Sequence, residues 1–348
     1  MHIIYAALSA GLESLLEYLS AHVLTCLIPA FFIAGAISAL LKKDIILKYF
    51  GADAPRWLCY PVAAISGTVL AVCSCTILPM FAGIERKGAG IGPATAFLFS
   101  GPAINLMAIV LTARVLGLDI GVARALAAVA MAVLIGLIMS FVFPGERRCS
   151  GDQGSKDGSV SRTTLFFIGV LIAILLVATS SAVSAEQKTA ILSTLILVAA
   201  YTMWRYYTPL ERRAFLGETW WLAKRIFPLL LAGTFVVGVI GYFLPMDMIR
   251  MLMGSNSFIS CLTASIIGAV LYMPTLLEVP IVGTLFGYSS GVTAPGPALA
   301  LLLAGPSLSL PNMIVIARVI GPRRAGTYIT LVVMISTLIG MLYGALVP

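Results

Sequence analysis

The chain has 348 residues, of which 60% are hydrophobic and only 10% charged, with a mean hydropathy of +1.05. So few charges could not cover the surface of a water-soluble domain, so the composition excludes one and makes lipid the solvent. The net charge of +8 comes from Lys and Arg clustered between apolar runs, which is the footprint of positive-inside topology and not of a nucleic-acid-binding face.

At the start, Ile4, Leu8, Leu12, Leu15, Leu16 and Leu19 recur at helical spacing beside Glu13 and Glu17. This predicts either an interfacial amphipathic helix or an early start to the first span. No basic region with a small-residue cleavage site is present there, so no removable signal peptide is expected. Apolar segments follow at about 22–41, 57–80, 91–116 and 122–143, then 164–183 and 189–206, then 221–244, 258–282, 295–319 and 325–347. Each comes near the roughly 20 residues that a spanning helix needs. Residues 145–162 are the one polar, Gly/Ser-rich stretch and read as a flexible linker. The expected organisation is a first membrane repeat at 1–144, a cytoplasmic linker at 145–162, two connecting transmembrane helices at 163–207 and a second membrane repeat at 208–348. The six cysteines, Cys26, Cys59, Cys73, Cys75, Cys149 and Cys261, lie mostly in apolar segments and are expected to be reduced.

The chain repeats itself. Gly67-Thr-Val-Leu followed by Pro79 matches Gly268-Ala-Val-Leu followed by Pro280 at a constant offset. Gly101-Pro102 followed by Ala113-Arg-Val-Leu-Gly matches Gly305-Pro306 followed by Ala317-Arg-Val-Ile-Gly at a second, and upstream Asp44 and Gly51 match Asp247 and Gly254. Matched Gly, Pro, Asp and Arg in one order point to duplication. The fold class expected is therefore an all-α polytopic membrane protein of two pseudo-symmetric repeats with broken or re-entrant helices.

Charge then tests orientation. With all ten segments crossing, and Arg124 counted with the loops, each face carries eleven Lys and Arg, whereas a membrane protein should show a bias. If the Gly101-Pro102 segment and its twin enter and leave on one face, the totals become sixteen against six; choosing the Cys73 segment and its twin gives eighteen against four. Either choice inverts one half relative to the other, with the linker cytoplasmic and both termini outside, and the Gly-Pro segment is the first choice.

Two pairs of stretches could carry chemistry. In Cys73-Ser74-Cys75-Thr76 with Pro79, thiols two residues apart share a side only where the helix unwinds, and Pro79 encourages that by clashing with the carbonyl of Cys75. An unwound, thiol-lined stretch at mid-membrane depth suits a soft species, although membrane cysteines also simply pack. The matching stretch has no cysteine; there Pro274 and Pro280 bracket Glu278, which either binds a proton reversibly inside the membrane or sits solvated at its edge. The second pair is Gly101-Pro102 with Asn105, and Gly305-Pro306 with Ser307, Ser309 and Asn312. Gly-Pro breaks a helix, and the N–H groups opening the next half-helix can hold a polar or anionic group. Arg114 and Arg318, in matched contexts near segment ends, read as interface markers. No nucleotide-binding loop or Gly-x-Ser-x-Gly nucleophile occurs, and with only His2 and His22 a His-rich metal enzyme is excluded.

Cys-Ser-Cys near a proline, a Gly-rich turn from Gly83 to Gly92, then Ala96-Phe97-Leu98 and Gly-Pro-Ala-Ile-Asn105, with a diverged second copy, resembles the predicted-permease family that includes the ArsP-type organoarsenical efflux permeases. The resemblance covers about Cys26 to Arg124 and Trp221 to the end; where the family commonly has Gly after Cys-Ser-Cys, this chain has Thr76. It implies a multi-pass transporter of the cytoplasmic membrane, and members with an assigned role export trivalent organoarsenicals. The expected function is a secondary transporter and not an enzyme: the Cys73 to Pro79 stretch, the Gly-Pro breaks with Asn105, Ser307, Ser309 and Asn312, and the Pro274 and Pro280 pair hold a small soft or thiol-reactive solute, and Glu278 couples a proton. The rivals are an integral membrane enzyme using the cysteine pair, and a channel or complex component. No cofactor or metal and no nucleic-acid partner is expected; the partners are a small solute and the lipid bilayer.

Overall fold

The computed structural model describes residues 2–20, 27–40, 59–64, 74–86, 90–144, 162–179, 185–243, 251–271, 273 and 277–347. Within these, every regular element is a helix: α1 (His2–Tyr18), α2 (Ile28–Leu40), α3 (Ser74–Arg86), α4 (Ile91–Ala103), α5 (Leu106–Val115), α6 (Leu118–Val142), α7 (Arg162–Thr179), α8 (Ala185–Tyr206), α9 (Pro209–Tyr242), α10 (Phe258–Val270), α11 (Pro295–Ala304), α12 (Leu310–Ile320) and α13 (Pro322–Leu346). A helical turn at Glu278–Pro280 runs into a π-helical turn at Ile281–Leu285. Backbone groups in lipid have no water to bond, so the apolar runs close their hydrogen bonds internally as helices. Local signals start them: Thr208 and Glu211 form a capping box ahead of α9, with Pro209 in the first position.

Among the described residues α6, α9 and α13 are each long and apolar enough to cross a bilayer, and α4 with most of α5 forms one further candidate bent by 45°. Side chains such as Leu126, Phe141, Leu197 and Trp204 stand exposed on the outside of the bundle, a surface that only lipid would cover.

The packing direction of each helix can be read from its contacts. Gly92 lies against Gly136 and Ser140, Ala113 against Gly121, and Thr112 bonds Arg124, so α4 and α5 together run antiparallel to the whole of α6. The Gly101-Pro102 segment, expected first as the one entering and leaving on one face, is therefore a kinked span. The physical reason is that Gly101 and Pro102 complete the last turn of α4, and the chain breaks only at Ile104 and Asn105, which redirects the helix without reversing it.

The same arrangement recurs 204 residues on. α6 and α13 each have 25 residues. Gly296 faces Gly340 as Gly92 faces Gly136, a Cβ on any of the four falling within 2.9 Å of the facing carbonyl oxygen. Both long helices are entered through a glycine at positive φ, Gly117 at 122° and Gly321 at 87°.

Helix α10 runs antiparallel to α13, with Asn256 bonded to the Gly344 carbonyl and Ser265 to Thr337, but parallel to α11, with Cys261 near Gly296 and Gly268 near Gly305. Parallel neighbours require the chain between them to come back. The Ala294 N–H bonds the Met253 carbonyl at 2.9 Å, so the stretch holding Glu278 returns to the end where α10 began. In the first half Tyr60 and Ala63 lie beside Gly92 and Ser100 of α4, and α3 returns with Ile77 against Gly101.

Helix α9 is flanked antiparallel by α1 and α2 in line: Gly11 meets Phe235 and Val239, and Gly35 meets Thr219. Of the two readings of the first residues, α1 thus extends the line of the first span and turns Tyr5, Leu8, Leu12 and Leu16 outward.

Candidate functional site

A buried ion pair joins the two halves. Glu278 opens its helical turn and Arg124 lies one and a half turns into α6; both are wholly buried. Arg124 Nη2 donates to Glu278 Oε1, and Nη1 donates to Thr112 Oγ1 at 2.7 Å. The Thr112 hydroxyl gives its own proton to the Ala108 carbonyl at 2.7 Å, which leaves its lone pairs toward the guanidinium. A charge inside a bilayer-spanning bundle is costly unless paired, so the two side chains account for each other. Of the two sequence readings of Glu278, solvation at the membrane edge does not fit its burial. Arg124 is the residue that sequence reasoning missed. It belongs to α6 and not to a loop, and removing it takes the Cys73 count to eighteen against three. The signal was present as a lone arginine inside an apolar run.

Asn105 caps α5 by accepting from the N–H groups of Met107 and Ala108 at 3.0 and 3.4 Å. Its counterpart at the 204-residue offset is Ser309, which caps α12 by accepting from the Asn312 N–H at 3.4 Å. The Met107, Ala108 and Asn312 N–H groups thus already have acceptors in their own chain, and Asn105 corresponds to Ser309 where the sequence suggested Asn312. The breaks leave other groups without partners among the described residues: Ser307 Oγ, both amide atoms of Asn312 and the Tyr328 hydroxyl, as well as Arg124 Nε and Glu278 Oε2. All are buried, and unpartnered buried polar atoms are rare enough in proteins to require a purpose. Gly101 and Gly305 allow close approach, a Cβ falling 2.9 Å from Ile77 Cδ1 and 3.4 Å from Met273 Cε respectively; Pro102 and Pro306 are buried.

Cys73 and Pro274 lie outside the described residues. Ser74 and Cys75 form the first turn of α3, which continues through Pro79, so the unwinding expected from Pro79 is not seen at Cys75. A proline this close to the helix N-terminus is tolerated because few turns precede it. Thr76 and Pro79 are buried, and Pro280 is half-buried with its carbonyl accepting from Thr284 Oγ1 at 2.6 Å. Cys59 and Cys261 are buried.

A cavity of about 170 Å³ opens between α3, α9 and α12, over Ala82, Ile226 and Val315, with Glu85, Arg225 and Arg318 also in its lining. It brings the end of α3 against the middle of α9 and the end of α12.

Apolar helices, a lipid-facing exterior and a buried polar centre between two sets of broken helices define a polytopic α-helical membrane protein. The chain belongs to the ArsP_1 predicted-permease family, which matches residues 9–345. It is similar to UPF0718 protein MJ0584 of Methanocaldococcus jannaschii, with 40% identity over 99% of this chain and 98% of that protein. It also resembles UPF0718 protein YraQ of Escherichia coli, with 23% identity over 82% of this chain and 67% of that protein. No solved structure matches it.

Proposed function

We propose that this permease is a secondary transporter of inverted-repeat design that exports a small soft or thiol-reactive solute, with trivalent organoarsenicals as the substrate class and the proton as coupling ion. The observation that carries the reading is the wholly buried Arg124–Glu278 pair joining the halves, and Ser307 and Asn312 at the second break add buried polar atoms without partners among the described residues. A carboxylate whose charge is balanced by one guanidinium inside the membrane is a natural place to exchange a proton, and idle hydroxyl and amide groups suit a solute with few charges.

Inversion is supported by the packing of equivalent helices: Arg324 at the start of α13 stacks 6.0 Å from the Phe143 ring at the end of α6, so the pair is antiparallel. The returning strands through α3 and Glu278 favour the Cys73 segment and its twin as the re-entrant ones. That choice puts the loops bearing Arg86, Arg225 and Arg318 on one face, which we assign to the cytoplasm with the linker at 145–162, leaving both termini outside. In this reading the thiols of Cys73 and Cys75 meet the solute.

The test is solute-driven proton flux in proteoliposomes. Flux unchanged in Glu278→Gln would remove the coupling role. Arsenical uptake into everted vesicles that survives the double substitution Cys73→Ser and Cys75→Ser would remove the thiol site, and export of a fully oxidised, non-thiophilic solute in its place would redirect the substrate class.

A further inference from the structure

At one place on the bundle, arginines from separate helices converge on a hollow. The cavity of about 170 Å³ between α3, α9 and α12 has a buried apolar floor in Ala82, Ile226 and Val315, and Trp221, Arg225 and Arg318 stand exposed in its lining. Arg225 Cζ lies 4.9 Å from the centre of the Trp221 ring, a cation–π contact that holds the guanidinium over the indole. Arg318 reaches the same hollow from the last turn of α12. Glu85 also lines it, so two guanidinium groups stand against one carboxylate and the lining stays net positive. The helices set its depth in the membrane. Residues 226–242 of α9 make about 25 Å of helix, close to the roughly 30 Å of a hydrocarbon core, so Arg225 comes where that core ends. Arg318 comes to the same boundary on α12, just before the Gly321 turn into the spanning helix α13. Exposed Trp220 beside Trp221 adds the aromatic pair characteristic of the headgroup layer.

We infer that this cavity is the binding site of one anionic phospholipid from the leaflet on this face, with its phosphate between the Arg225 and Arg318 guanidinium groups and its glycerol against Trp221. Guanidinium groups match phosphate oxygens with paired, charge-assisted N–H donors, and two that converge from different helices fix the position of a phosphate. Neighbouring arginines on one helix do not converge in this way, and Arg212 near the start of α9 already donates from Nε to the Tyr207 carbonyl. The apolar floor suits the carbon atoms of a lipid and not the hydration shell of a free anion. Such a lipid touches α3 of the first half and α9 and α12 of the second, so its binding adds to the packing of the halves at this edge. Only the identity of the leaflet, cytoplasmic, rests on the transporter reading above.

The full chain, purified in a mild detergent, tests this without needing a known solute. Native mass spectrometry should show one phosphatidylglycerol retained per chain, and added phosphatidylglycerol should raise the melting temperature where phosphatidylcholine at the same concentration does not. Arg225→Gln with Arg318→Gln should weaken that retention by about thirtyfold, the loss expected for two basic groups at a headgroup. Arg225→Lys with Arg318→Lys keeps the charge but loses the paired donors, and should weaken it to a smaller degree; this variant carries the test if the neutral one does not fold. Arg205→Gln with Arg213→Gln removes the same charge from exposed positions outside the cavity and should leave retention unchanged. Equal retention of the two lipids, or equal losses in the two neutral double variants, overturns the site in favour of unspecific attraction. Displacement of the lipid by inorganic phosphate overturns it in favour of a free anion. Solute-driven proton flux is measured separately on the same variants: flux without lipid selectivity removes the lipid site and leaves transport, and selectivity without flux removes transport and leaves the lipid site.

Discussion

The Arg124 guanidinium meets the Glu278 carboxylate across 154 residues of sequence, and neither side chain has any exposed surface. The contact joins α6 of the first half to the returning strand of the second. Thr112 holds the guanidinium from its other side, and the remaining Arg124 Nε and Glu278 Oε2 have no partner among the described residues. A pair so placed is costly to bury and more costly to break, which makes it a poor device for stability alone and a good one for setting which arrangement of the halves is populated.

Removing one member should therefore destabilise the protein more than removing both. Arg124→Met alone is expected to cost about 3–5 kcal/mol, because it leaves an uncompensated buried carboxylate, whereas Arg124→Met combined with Glu278→Gln should recover most of that loss. Thermal unfolding of purified protein in detergent, analysed as a double-mutant cycle, checks it; additive losses would show that the two side chains do not act as a pair.

The glycine contacts make a second prediction. Gly340→Ala puts a methyl 2.6 Å from the Gly296 carbonyl oxygen, and Gly136→Ala puts one 2.9 Å from the Gly92 carbonyl oxygen. Each should destabilise by about 1–3 kcal/mol, since neighbouring backbone cannot yield as a flexible side chain can. Gly169→Ala in α7 meets nothing within 4 Å and should be neutral or stabilising by about 0.5–1 kcal/mol from helix propensity. Melting temperatures of the three variants in one detergent separate packing from propensity.

Much of this was legible in the sequence, and the parts that were not have physical reasons. Repeated Gly and Pro positions marked the helix breaks, because backbone freedom and a missing N–H act locally and show in one chain. The charge count favours re-entry of one segment per half without choosing between the Gly101-Pro102 and Cys73 segments, because a helix kink and a hairpin carry the same residues and differ only in what packs beside them. Asn105 was singled out, but its pairing with Ser309 was hidden: either side chain can cap a helix, so the role repeats while the residue does not. Arg124 was assigned to a loop because charge is normally solvated, and its partner lies 154 residues away.

The two caps can be tested by substitution. Asn105→Ala and Ser309→Ala should each cost about 1 kcal/mol by leaving an N–H of the following half-helix without its acceptor, while Asn105→Asp keeps the acceptor and should lose much less. If Asn105 also touches the solute, Asn105→Asp will hold its melting temperature yet change the apparent KM of uptake. Unfolding and transport measured on the same preparations distinguish capping from binding.

Asn312 separates stability from function most sharply. Its amide oxygen and nitrogen are both buried without partners among the described residues, in the first turn of the half-helix that follows the second Gly-Pro break. An amide kept in this condition lowers stability by about 1–3 kcal/mol relative to a satisfied or apolar side chain of the same size. Asn312→Leu should therefore raise the melting temperature if the cleft accepts the shape, and Ser307→Ala should do the same to a smaller degree. If these groups are retained for the solute, both variants will transport more slowly as they become more stable, through a raised KM and not through loss of folded protein. A stabilised Asn312→Leu with native uptake kinetics would take the second break out of the binding site.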